Sequence, residues 1–127
     1  MRKLIFAILL SFVFAYAYQD LDSKAFYEKI QKEKDVIVLD VRTPIEYEKD
    51  GHIPGSILIP VQVLPQYIKD LEKFKDKKIL VYCRSGNRSV MASKFLEQNG
   101  FKNVYNLKGG IIDWKKNNLP VEFGMKK

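Results

Sequence analysis

VIVLD (36–40) and KILVYC (78–83) are short runs of β-branched and aliphatic residues, without the apolar-polar alternation of a half-wet strand. No other feature of the chain limits the fold as much. Such runs belong to strands covered on both faces, the setting of a parallel sheet with helices above and below. The segments between them have helical spacing. Asp22 or Ser23 can cap a helix to about Lys32, with Phe26 and Ile30 one turn apart on its buried face. Leu64, Ile68 and Leu71 make a second stripe, carried to Phe74. Met91 or Ala92, with Phe95 and Leu96, marks a helix over 88–99 that Gly100 ends in a left-handed stop. ILIP (57–60) reads as a weaker strand and NVYNL (103–107) as a last one. After it, Gly109-Gly110 form a turn of unusual backbone angles and lead into a helix with Ile111 and Trp114 facing inward. Strands alternating with helices predict an α/β domain, its central sheet mostly parallel with helices on both faces.

At 127 residues, 46% hydrophobic and 29% charged, the chain has room for one such domain and enough apolar side chain to fold it by burial. Ahead of the domain, Arg2 and Lys3 precede LIFAILL and SFVF, and the run ends in AYA at 15–17. This pattern predicts a secretory signal peptide over 1–17, cut after Ala17, with the domain occupying 18–127. The run is shorter than the roughly 20 residues that cross a bilayer, so export to the periplasm without stable membrane insertion is expected. Cleavage would remove two of the 22 basic residues and none of the 15 acidic ones, taking the formal charge from +7 to +5. The remaining lysines are interleaved with Glu and Asp, as on a solvated face. No nucleic-acid partner is expected, while a mild positive balance suits small anionic substrates.

One Cys and one His exclude an internal disulfide, a CxxC redox pair, a thiolate-rich zinc site and the common His-rich metal sites. No metal and no cofactor are expected. Catalysis by one thiol remains. Cys83 closes the clearest strand and opens the loop Arg84-Ser85-Gly86-Asn87-Arg88, which runs straight into a helix. In parallel sheets reactive groups gather at the carboxyl ends of strands. A Gly-containing turn before a helix converges backbone N–H groups on one point and adds the helix's positive end, a setting that favours a thiolate. Two arginines within five residues mark this Cys as reactive, with Arg84 and Arg88 beside it as anion donors.

CRSGNRS (83–89) resembles the active-site loop of rhodanese-domain sulfurtransferases. DVRTPIEYEKDGHIPGSILIP (40–60) is similar to that family's Asp-x-Arg, Glu-Tyr and Gly-His-Ile-Pro-Gly-Ala signature, with Ser56 in the usual Ala place. VYNLKGGIIDW (104–114) is similar to its closing Leu-x-Gly-Gly and Trp motif, so the resemblance covers about residues 20–120. With its leader and single domain, the chain looks most like the small periplasmic rhodaneses related to phage shock protein E.

The resemblance implies ping-pong sulfur transfer, with Cys83 the catalytic nucleophile and Arg84, Ser85, Gly86, Asn87 and Arg88 binding substrate. Cys83 would take the outer sulfur of thiosulfate or a related donor as a persulfide and pass it to cyanide or a thiol. A basic residue after the nucleophile, Arg84 here, goes with thiosulfate in that family. The partners implied are a small anionic sulfur donor and a thiol or cyanide acceptor, with an unidentified protein as a further candidate acceptor. Asp40, Arg42 and Glu46 are assigned to a supporting structural network, Glu46 pairing with Arg42 or capping a helix start. His52 sits in a turn signature and is expected to be structural. Two rival readings stand beside this one. Rhodanese-fold phosphatases and arsenate reductases resemble C-x5-R, whereas four residues separate Cys83 from Arg88 here. Non-catalytic persulfide or sulfur-binding modules usually lose the nucleophile.

Overall fold

The computed structural model describes residues 17–125. The signal peptide expected over 1–17 therefore lies outside the described residues except for Ala17. Five strands, β1 (Gln19–Leu21), β2 (Val36–Asp40), β3 (Ile57–Leu58), β4 (Lys78–Tyr82) and β5 (Asn103–Leu107), form one sheet in the order β1-β5-β4-β2-β3. Every pairing is parallel. Four α-helices join them: α1 (Ser23–Lys32), α2 (Leu64–Leu71), α3 (Asn87–Gln98) and α4 (Gly110–Lys116). No helix among the described residues is long and apolar enough to cross a membrane.

The apolar runs of β2 and β4 divide between the two faces, because successive side chains of a strand point to opposite sides. Leu39, Ile79 and Val81 join Leu64, Leu71, Ala92, Leu96 and Phe101 in the core beneath α2 and α3. Val38, Leu80 and Tyr82 join Phe26, Ile111 and Trp114 beneath α1 and α4. Trp114 anchors that second layer: the rings of Phe26 and Tyr27 meet it edge-on at 6.1 and 5.7 Å, and its Nε1 donates to the Pro120 carbonyl at 2.8 Å.

Two expected alternatives resolve to one residue each. Asp22 caps α1 by accepting from the Ala25 amide, and Ala92, fully buried, faces the core while Met91 stands in solvent. Gly100 ends α3 with φ of +91°. The helix expected to reach Phe74 stops at Leu71 and tightens into a 3₁₀ turn over Glu72–Phe74. ILIP contributes only its first two residues to a strand, at the sheet edge. Sequence reasoning missed β1, since Gln19, Asp20 and Leu21 offer a single apolar side chain and no periodicity. It also missed a π-helical turn over Glu46–Asp50.

The register decides where chemistry can occur. Asp40 pairs with Tyr82 and Val81 with Asn106, so the chain leaves the three central strands β2, β4 and β5 side by side at their carboxyl ends. The three stretches singled out in the sequence thus come together.

Candidate active site

Cys83 follows the last residue of β4 and is 1% exposed. Its Sγ accepts the backbone N–H groups of Gly86 at 3.1 Å and Ser89 at 3.3 Å. Ser89 is the third residue of α3, and Gly86, the cap position, has no side chain to satisfy the free amides of the first turn. The sulfur fills the place of an N-cap oxygen. Charge on that sulfur would therefore sit at the positive end of a twelve-residue helix. The thiol donates to Ser89 Oγ at 3.3 Å, and Ser89 Oγ–H donates to the Gly86 carbonyl at 3.2 Å. That hydroxyl can rotate to the sulfur once the thiol proton leaves. Ser89 is wholly buried and was not among the expected site residues; its place at the end of CRSGNRS was the available signal.

The turn is held from behind by the Gly109-Gly110 stretch. Ile111 N–H donates to the Cys83 carbonyl at 3.0 Å and Ile112 N–H to the Arg84 carbonyl at 3.2 Å, so α4 directs its first amides into the loop. This approach requires glycine at two positions. A Cβ on Gly110 (φ +68°) would stand 2.0 Å from the Arg84 carbonyl oxygen, and one on Gly86 (φ +110°) 2.6 Å from that of Lys108. The expected Gly-Gly turn is left-handed only at Gly110, since Gly109 has φ of −89°.

The expected site residues fall into two groups. Arg84, Ser85 and Asn87 are exposed around the buried sulfur. The amides of Arg84, Ser85, Asn87 and Arg88 make no hydrogen bond among the described residues and remain as donors. Arg88 is different. Its guanidinium grips Glu46 through two parallel bonds of 2.8 Å, which ties the Cys83 loop to the segment after β2 and cancels the charge expected to face an anion. Glu46 thus pairs with Arg88, not with Arg42, because Arg42 is already committed to Asp40. The expected capping role is present: Glu46 accepts from the Thr43 amide and hydroxyl, and Thr43 Oγ accepts from the Glu46 amide. The Arg88 guanidinium, against the opposing effect of burial and with help from Thr43, holds the Glu46 carboxyl down to about 2. The same bond raises Arg88.

Asp40 and Arg42 are buried at 0% and 1% exposure. Arg42 meets both Asp40 oxygens, at 3.0 Å through Nε and 2.8 Å through Nη2, and Nη2 also donates to the Gly51 carbonyl at 2.8 Å. His52 stacks on Tyr47, rings parallel at 3.6 Å; its Nδ1 lies 2.9 Å from the Tyr47 carbonyl and Nε2 faces Glu122. Neither nitrogen is directed at Cys83. Tyr82 OH accepts from the Ile53 amide at 3.0 Å and meets Ser56 Oγ at 3.0 Å, and burial raises the phenol far above its ordinary range.

Residues 22–117 match the sequence profile of the rhodanese-like domain. The chain is 36% identical over 102 residues to a sulfurtransferase of Allochromatium vinosum, covering 80% of this chain and 92% of that protein. It is 37% identical over 97 residues to a tRNA uridine(34) hydroxylase of Cronobacter sakazakii, covering 70% of this chain but only 28% of the hydroxylase. Among solved structures, a rhodanese-related protein from Thermoplasma volcanium superposes with a TM-score of 0.73 at 40% identity, over 83% of this chain and 98% of that one. A Rhodopseudomonas palustris protein described as a possible tyrosine phosphatase superposes with a TM-score of 0.75 at 31% identity, over 83% and 85%. The profile match runs from the cap of α1 to the residue closing α4 and takes in every element that builds the Cys83 loop, and the chain belongs to the rhodanese-like domain family.

Proposed function

We propose that the protein is a sulfurtransferase that moves a sulfane sulfur from thiosulfate or a related donor to cyanide or a thiol through a Cys83 persulfide. The observation that carries this reading is Sγ in the place of a helix cap, accepting two amides while four neighbouring amides have no partner among the described residues. Family membership and the Allochromatium relative support sulfur transfer in general.

In the first half-reaction the Cys83 thiolate attacks the outer sulfur of thiosulfate. The new S–S bond forms as the donor's S–S bond breaks, its electron pair leaving with sulfite, and the enzyme keeps the persulfide anion. Loop amides and the exposed Arg84 would hold both anions. In the second, a thiol or cyanide attacks the outer sulfur and the Cys83 thiolate is released. Arg88, locked to Glu46, positions the loop. The short spacing between Cys83 and Arg88 favours one sulfur atom over a tetrahedral phosphate.

Protein incubated with thiosulfate should gain the mass of one sulfur on Cys83, form thiocyanate when cyanide follows, and leave aryl phosphates intact. Cys83→Ser should lose both the mass gain and the turnover. Phosphatase activity abolished by that substitution would overturn the assignment.

Export and cleavage after Ala17 belong to the same proposal. Tyr18 N donates to Glu97 Oε2 at 2.5 Å, a contact that an α-ammonium created by cleavage would strengthen into an ion pair. N-terminal sequencing of the periplasmic fraction should begin at Tyr18; intact chain in the membrane fraction would contradict it.

A further inference from the structure

Beside the loop lies a cleft of about 250 Å³ lined by Arg42, Asp50, Arg84, Ile111, Ile112 and Lys115. We infer that it is a subsite for the carboxylate of a low-molecular-weight thiol, the acceptor of the Cys83 sulfur; the inference rests on the sulfur-transfer reading above.

The cleft adjoins the Cys83 loop, with Cys83 itself outside its lining. Arg84 directly follows Cys83, and Ile111 and Ile112 are the residues whose amides hold the Cys83 and Arg84 carbonyls. Its charge is suited to an anion. Arg42 is buried and rigid, with Nε and Nη2 consumed by Asp40 and Gly51, and its Nη1 makes no hydrogen bond among the described residues. Arg84 forms no ion pair among the described residues, nor does Lys115, whose ammonium bonds to the Asp50 carbonyl. Asp40 cancels Arg42, so Arg84 and Lys115 against Asp50 leave one net positive charge: a monocarboxylate fits and a dianion fits less well.

Size and polarity point the same way. At about 250 Å³ the cleft is wider than the five heavy atoms of thiosulfate need. Half-buried Ile112 gives an aliphatic wall for a short carbon chain. The chemistry is balanced without another reactant: the acceptor thiol attacks the outer persulfide sulfur, leaves as its own persulfide with the proton it brought, and returns Cys83 as the thiolate.

Two measurements on the full chain test this. Butyrate, a carboxylate without sulfur, should shift the amide signals of Ile112 and Lys115 and the side-chain signal of Arg84 saturably, with affinity falling several-fold in Lys115→Gln. With persulfidated protein, 3-mercaptopropionate should surpass 3-mercaptopropan-1-ol in kcat/KM by about tenfold, as expected for one charge-assisted contact. Lys115→Gln should collapse that ratio and Lys115→Arg should retain it. A ratio near one in the wild type, a ratio unchanged in Lys115→Gln, or no saturable butyrate shift would overturn the subsite. Should no acceptor draw sulfur from Cys83, the sulfur-transfer reading fails, and the butyrate titration still decides whether the cleft binds a carboxylate.

Discussion

The chain leaves β2 and β4 side by side, and the two exits solve opposite problems. After β2, the buried polar groups of Asp40, Arg42, His52 and Ser56 are turned on one another, on Tyr82 from the neighbouring strand and on backbone carbonyls. After β4, the backbone turns back on a single sulfur and leaves four loop amides and the Arg84 guanidinium without partners among the described residues. A polar network that satisfies itself costs little to bury and is rigid, so it supports. A turn that leaves donors open can bind an anion, and it holds its shape only because α4 and the Glu46–Arg88 pair hold it from outside.

Substitutions can break that division, beginning with the most severe. Gly110→Ala adds a Cβ 2.0 Å from the Arg84 carbonyl at a left-handed backbone position. It should cost about 3 kcal/mol in urea unfolding and remove most sulfur transfer, because the amides of α4 can no longer reach the loop. Wild-type activity in a stable Gly110→Ala protein would show that the loop supports itself.

Arg84→Ala should act on chemistry alone. Removing one charge-assisted contact costs about 1.5–3 kcal/mol, a loss of roughly 10 to 150-fold in kcat/KM for thiosulfate, with stability changed by less than about 0.5 kcal/mol. A polysulfide donor lacking the sulfonate should suffer less, and stopped-flow measurement of each half-reaction separates the two effects. Equal losses for both donors would assign Arg84 to support of the turn.

The mirror case is Tyr82→Phe on the β2 side of the boundary. It leaves the buried Ile53 amide without its acceptor and should cost about 1–3 kcal/mol of stability, while turnover per folded molecule stays within about twofold. A large loss of kcat with unchanged stability would place the network in the chemistry.

The smallest effect concerns acid. Arg88 depresses the folded Glu46 carboxyl to about 2, below its unfolded value near 4.5, so the pair stabilises above that upper value and loses its contribution as pH falls toward 2. For a partly exposed pair this is of order 1–2 kcal/mol. Unfolding curves at pH 5 and pH 3 should therefore converge between wild type and Glu46→Gln as pH falls. A gap that widens instead would refute the sign.

Much of the local geometry around Cys83 could be read before any fold was known. Cys83 at the end of an unbroken apolar strand, with a glycine turn and a helix behind it, is a local pattern, and so are the Asp22 cap and the Gly100 stop. Arg88 was read as an anion donor because proximity along the chain cannot reveal a partner 42 residues away. The same blindness left Glu46 without its partner, β1 without its strand and Ser89 without its role. Each depends on what another element brings to it.

By itself, the sequence determined the alternation of strands and helices, the position of the one thiol and the turn before α3, since apolar period, glycine placement and capping are properties of neighbouring residues. Only the tertiary structure decided which cations are free. The parallel register sets the exits of β2, β4 and β5 at the same end of the sheet, where Glu46 neutralises Arg88, Asp40 neutralises Arg42, and Arg84 keeps its charge exposed beside Cys83. Charge pairing is a matter of distance in space, and that distance exists only once the sheet has formed.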